Sequence, residues 1–98
     1  MGKLERNLDA ELQRISSEWQ LPEGQVASTT GVLLACAAYL SSRGLSVILK
    51  WDGGREDHKI TALVSGPPLG EKTLRCDGDV LEKVLGRVIV DAFGHLQQ

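Results

Sequence analysis

Aromatic side chains are scarce: two Trp, one Tyr and one Phe supply 4% of the 98 residues. A sheet that reads single-stranded nucleic acid needs several stacking platforms on one face, and this chain has little from which to build them. Cysteine is also sparse. Cys36 and Cys76 are too few for the disulfide frameworks of small secreted domains, and neither belongs to a CxxC or Cys/His cluster. Both are expected as reduced, structural thiols. There is no surplus of basic charge, since 11 Lys and Arg stand against 13 Asp and Glu for a formal net charge of -2. Proteins that depend on phosphate contacts usually carry the opposite balance. The longest apolar run, Val32 to Leu40, is far short of the roughly 20 residues of a membrane span. The charged opening Met1-Gly2-Lys3-Leu4-Glu5-Arg6 lacks the apolar stretch of a signal peptide. These absences together point to the cytoplasm, with no membrane partner.

What is present suits one globular domain. The chain is 42% hydrophobic and 24% charged, close to the average for folded proteins. A domain of this length buries about 60–65% of the surface its unfolded chain exposes. That allows one core, without a deep enclosed pocket beside it.

Along the chain, Leu4, Leu8, Leu12, Ile15 and Trp19 form one helical stripe over residues 1–21. Leu21-Pro22-Glu23-Gly24 ends it. Such a narrow stripe packs on its own domain or pairs with its copy as a coiled-coil seam. Ser28, Thr29 and Thr30 offer caps for a second helix reaching about Arg43, with Gly44 just past its end. Val32 to Leu40 is apolar on nearly all faces, which suggests the central core helix or a helix that also faces a second subunit. Leu45 to Trp51 reads as a strand with Leu45, Val47, Leu49 and Trp51 on one face. Asp52-Gly53-Gly54 marks a turn, and His58 to Ser65 returns with Ile60, Ala62 and Val64 inward. A tight turn pairs Val47 with Ile60, whereas a wider loop over 52–57 pairs Leu49 with Ile60. Both keep the apolar faces together. Gly66-Pro67-Pro68 breaks the strand. Lys72 to Cys76 supplies a third strand, with Leu74 and Cys76 inward. Asp77-Gly78-Asp79 turns the chain and caps a last, broadly amphipathic helix to about His95. The fold expected is α+β, ordered α-α-β-β-β-α: a three-stranded antiparallel meander with helices mainly on one face, residues 29–97 forming the core of a single domain.

No constellation for catalysis stands out. His58 and His95 are separated in sequence from both cysteines, so nothing places a nucleophile beside a base. The Asp77/Asp79 pair lacks the further oxygen donors of a calcium loop. Residues 52–57 are not a phosphate loop, because no Lys-Ser/Thr follows and no helix begins there. No cofactor and no metal are expected.

The outer sheet face is the most informative surface. Ser46, Ile48 and Lys50 point outward from the first strand, Lys59, Thr61 and Leu63 from the second, and Thr73 and Arg75 from the third. Two large apolar residues among threonines and three cations make an unusual solvent face, and such a mixed patch suits a protein contact. The expected function is therefore a non-enzymatic interaction module, a small adaptor, regulator or inhibitor of the kind found among small acidic domains of bacteria and their phages. Its candidate contact residues are Ile48, Lys50, Lys59, Thr61, Leu63, Thr73 and Arg75. A homodimer is a further expectation, from the apolar second helix and the Ile48/Leu63 pair. Nucleic-acid binding through Lys50, Lys59, Lys72 and Arg75 is the alternative. The α-β-β-β-α order over 29–97 resembles that of double-stranded RNA-binding domains. Where that family carries a lysine-rich start to its last helix, however, this chain has the acidic Gly78-Asp79-Val80-Leu81-Glu82-Lys83. An enzyme or small-molecule binder using a helix–sheet cleft is the third reading.

Overall fold

Strong punctuation divides this chain, and a computed structural model, which describes residues 10–15, 17–20 and 29–96, places the elements between the breaks. Helical turns at 10–15 and 17–18 form α1. They are followed by α2 (Thr29–Ser42), β1 (Ser46–Trp51), β2 (Ile60–Ser65), a 3-10 turn over Pro67–Leu69, β3 (Leu74–Gly78) and α3 (Leu81–Leu96). The strands form an antiparallel sheet in the order β1-β2-β3, and the helices pack against it. This is the expected α-α-β-β-β-α arrangement. Leu4, Leu8, the Leu21–Gly24 terminator and the Ser28 cap lie outside the described residues. Among the described residues, no helix is long and apolar enough to cross a membrane.

The helix to which the sequence assigned the centre is not the central one. Along α2, Leu33, Ala35, Cys36 and Leu40 are buried, but Leu34 is 59% exposed. Among the strands α2 lies chiefly along β1. The central position belongs to α3, which packs on β3, β2 and α2 and buries Val84, Leu85, Gly86, Val88, Ile89, Ala92 and Phe93. The difference is one of pattern. α2 is apolar all round with small residues, whereas α3 concentrates large side chains on one face. Against α3 lie the inward residues of β2, Ile60, Ala62 and Val64. Truncating the fully buried Ile89 to Ala is worth about 2–5 kcal/mol of stability.

α2 ends as its glycine suggests. Gly44 adopts φ +88, the Leu45 amide donates to the Leu40 carbonyl at 3.1 Å, and the Gly44 amide donates to Ser41 at 3.0 Å. These are the two bonds of a Schellman cap, and buried Leu40 and Leu45 supply its apolar contact.

The described part of the α1 stripe faces its own domain. Leu12 and Ile15 join the core. The Trp19 ring stacks on Tyr39 of α2 at 4.3 Å and meets Phe93 of α3 at 5.6 Å. Arg14 sits over the Phe93 ring, 5.2 Å from its centroid.

The sheet register is shifted from both expected alternatives. Trp51 pairs with Ile60, Leu49 with Ala62, and Val47 with Val64. The shift is two residues beyond the wider-loop alternative, so every side chain keeps its face. The hairpin loop is longer than a tight turn because residues 52–59 have contacts of their own. The Asp52 amide donates to the Lys59 carbonyl at 2.7 Å, and its carboxylate accepts from the Gly54 amide at 3.0 Å. β3 also runs later than expected, over 74–78 instead of 72–76, and this puts Asp77 inside the strand. Trp51, expected inward, is on the inner face but 58% exposed. It stands at the end of the edge strand, where helix cover runs out.

At Gly78 the third strand comes against α3. A Cβ at this position would lie 2.8 Å from Val84 Cγ2, closer than carbon atoms tolerate. Gly78→Ala is expected to lower unfolding stability by about 1–3 kcal/mol through overpacking. Gly53→Ala, at a position with nothing within 4 Å, should change it by no more than about 0.5 kcal/mol. Urea unfolding followed by circular dichroism measures both.

Candidate functional site

Period two and the observed register arrange the outer face as rows of cross-strand neighbours. One row is Lys50–Thr61–Asp77 and the next is Ile48–Leu63–Arg75. Ser46 lies opposite Ser65 beyond them. Of the residues the sequence assigned to this surface, Ile48, Lys50, Thr61, Leu63 and Arg75 are brought together on the strands. Lys59 and Thr73 are exposed but fall in the connections just before β2 and β3.

The first row is a closed polar network. The Arg55 side chain folds back from the hairpin loop over the sheet. Its Nη1 donates to the His58 carbonyl at 2.9 Å and to Asp77 Oδ1 at 3.1 Å, and its Nε pairs with Asp52 Oδ2 at 3.2 Å. The Thr61 hydroxyl donates to Asp77 Oδ1. Arg75 grips the same carboxylate with two donors, Nε at 2.9 Å from Oδ2 and Nη2 at 3.2 Å from Oδ1. Under this cover Thr61 is only 4% exposed, so it is not available to a partner without displacing Arg55.

Asp77 therefore has a role different from the helix cap its sequence position suggested. It is the shared acceptor of the outer face, because β3 continues through it instead of turning before it. Asp79 accepts from the Lys59 amide at 3.4 Å and helps tie the two chain crossings together. Sequence reasoning also missed Arg55 and Asp52. The signal that could have found Asp77 was the alternation Arg75–Asp77, which places both on one face if the strand runs two residues further. Arg55 carried no such signal, since loop residues have no period.

Three donors set the titration of Asp77. The Arg75 guanidinium first, then the Thr61 hydroxyl and Arg55, hold its carboxyl well below the usual carboxylate range. Asp52 is also held low, first by the Gly54 amide. The cations of this face are thus partly compensated where they stand: Arg75 by Asp77, and Lys50 by Asp52 at 3.9 Å.

The second row is the apolar part. Ile48 is 52% exposed, and its direct neighbour Leu63 is half-buried. The patch is bordered by Arg75 and the polar row on one side and by Ser46 and Ser65 on the other.

Elsewhere the chemistry is local. His58 Nδ1 lies 3.2 Å from Asp57. His95 Nδ1 lies 3.2 Å from the Asp91 carbonyl, with its Nε2 3.5 Å from Lys72 Nζ. Between helices and sheet, the layer in which a cleft was the third expectation is filled by Leu33, Leu40, Val64, Val84, Val88 and Ile89, all almost fully buried. Among the described residues no group of three or more His, Cys, Asp or Glu is placed to hold a metal ion. Both cysteines are free. Burial pushes the Cys36 thiol up to about 12, and desolvation is the main cause that raises Cys76. In comparisons with known proteins, no family model, curated protein or solved structure matches this chain.

Because Asp77 titrates lower in the folded state than in the unfolded chain, its stabilisation is complete above the unfolded value near pH 4 and is lost as the pH falls below it. Asp77→Asn should lower the Tm at pH 7 by a few degrees and make its decline from pH 5 to pH 2 shallower than the parent's, as scanning calorimetry would record. A second outcome concerns the thiols. At neutral pH an alkylating reagent should leave Cys36 unmodified in the native protein and reach it only after denaturation, while half-buried Cys76 reacts natively, the products being read by mass spectrometry.

Proposed function

We propose that this chain is a non-enzymatic protein-interaction module whose contact centre is the apolar part of the outer sheet face. The observation that carries this reading is Ile48, more than half exposed in the middle of the edge strand β1 and directly opposite Leu63 of the central strand β2. A large apolar side chain there presents a fixed surface that loses little freedom on binding. Beside it stand Lys50, Arg75, Ser46 and, before β3, Thr73, with Lys59 further out beyond the Lys50–Thr61 row, an exposed polar border of the kind that surrounds the dry centre of protein contacts. The Arg55–Asp77–Arg75 network supports the reading from the other side, because it holds the border rigid and satisfies its own charges. A polyanion would find two of the four candidate cations, Arg75 and Lys50, already compensated by Asp77 and Asp52. Trp51, the exposed aromatic residue, belongs to the opposite face. Two free cysteines suit a reducing compartment, the cytoplasm.

Ile48→Asp tests the assignment. It should lower stability by about 1 kcal/mol, from the lost cross-strand pair with Leu63 and the poor strand preference of aspartate, leave the fold intact, and abolish retention of a specific partner from lysate of the source cells. Retention that persists in the variant, or that is lost on nuclease treatment, would remove this face as the protein contact.

A further inference from the structure

The two edges of the sheet are built differently. β3 is short, alternates Arg75 and Asp77 with half-buried residues, ends in Gly78 and is packed along its length by α3. Charge, brevity and cover are the ordinary devices that stop an edge from recruiting another strand. β1 has few of them. Its sequence is Ser-Val-Ile-Leu-Lys-Trp, with one charge, no proline and no bulge in its pairing to β2. Among the described residues no strand pairs with its outer edge.

Which backbone groups face that edge follows from one bond. The Asp52 amide donates to Lys59 across the hairpin. In an antiparallel ladder the direction alternates residue by residue, so Ser46, Ile48 and Lys50 bond to β2, while Val47, Leu49 and Trp51 aim their amides and carbonyls away from it. The same three residues share the inner side-chain face. Val47 and Leu49 are half-buried and Trp51 is 58% exposed. Outward-facing backbone groups therefore coincide with apolar side chains on three alternate positions of one strand, two of them only partly covered by the core and the third in solvent.

We infer that β1 pairs antiparallel with β1 of a second copy of this chain, in the register that sets Leu49 against Leu49 and Val47 against Trp51, to make a continuous six-stranded sheet. Cross-strand partners must share a face, so only registers centred on a residue are allowed. Centring on Lys50 opposes two lysines. Centring on Ile48 opposes Trp51 to Leu45, whose amide is already given to the Leu40 carbonyl in the α2 cap. Centring on Leu49 uses every outward amide, joins three apolar pairs on the inner face and places Lys50 against Ile48, where its methylene stem packs and its charge meets no other cation. β1 is thus complementary to itself in hydrogen bonding and in its apolar pairs, and it brings no like charges together, which is what a two-fold contact requires. This contact goes beyond the outer-face reading and does not rest on it, since strand pairing joins the sheets edge to edge and leaves the outer face, with Ile48 beside half-buried Leu63, uncovered by the second copy.

The test is amide hydrogen exchange by NMR on the full chain at rising concentration, with sedimentation velocity in parallel. The Val47, Leu49 and Trp51 amides should gain protection as a dimer forms, while those of Ile48 and Lys50, bonded to β2 throughout, stay protected at every concentration. Trp51→Lys, at an exposed position, should weaken the dimer about tenfold by removing two aromatic–aliphatic pairs, with an unchanged circular dichroism spectrum. Ile48→Asp should leave the dimer intact although it abolishes capture of the outer-face partner. A chain that remains monomeric at high micromolar concentration would overturn the inference and leave the edge to a strand of another protein. A dimer whose three edge amides exchange freely, or one split by Ile48→Asp and not by Trp51→Lys, would overturn it in favour of a face-to-face contact.

Discussion

The contact between α3 and the inner face of β2 and β3 is the constraint to which the rest of this structure is fitted. A three-stranded sheet has little stability until one face is covered, and α3 brings most of the large buried side chains available to cover it. Its approach is set by Gly78, where the absence of a side chain lets Val84 come against the strand. With α3 in that position, α2 is left to cover the β1 side, and α1 closes the gap beside them with Leu12, Ile15 and Trp19. The cover is uneven in consequence. It is complete over β2 and incomplete at the far end of β1, where Trp51 stands in solvent.

The opposite face is organised by charge instead of by apolar burial. Asp77 collects donors from all the parts that surround it: Arg75 on its own strand, Thr61 on the neighbouring strand and Arg55 from the hairpin loop. An ionised acceptor makes each of these bonds stronger than a neutral pair would be. The loop between β1 and β2 is tied down by this network, which explains why an eight-residue excursion over 52–59 replaces a two-residue turn. The network also divides the face. One row is satisfied internally, and the other, centred on Ile48 and Leu63, is left for solvent or for a partner.

Much of this was legible from residue order, because period and punctuation are local properties. Alternation in 45–51 and 60–64, broken only by the outward Ile48 and Leu63, the Gly44 stop, the Pro67–Pro68 break and the amphipathic 80–96 segment define the elements, their order and their inward faces without reference to any contact. The alternation also placed Ile48, Lys50, Thr61, Leu63 and Arg75 on one face, and the structure brings them together there. What periodicity cannot rank is how deeply each apolar face is covered. α2 looked central because it is apolar on every side, yet depth depends on which helix has the bulk to span the sheet. The Asp77-Gly78-Asp79 segment looked like a turn because aspartate and glycine favour turns, a weak preference overridden by three donors waiting on the outer face.

By itself, then, the sequence determined the class of fold, the number and order of elements, and which side chains share a face, since each follows from spacing along the chain. The tertiary structure alone decided the register of the hairpin, the exposure of Trp51, the burial of Thr61 beneath Arg55 and the role of Asp77. Those depend on groups far apart in sequence meeting in space: Arg55 and Asp77 are separated by 22 positions. No local pattern encodes a hydrogen bond between a loop and a strand that the fold has yet to bring together.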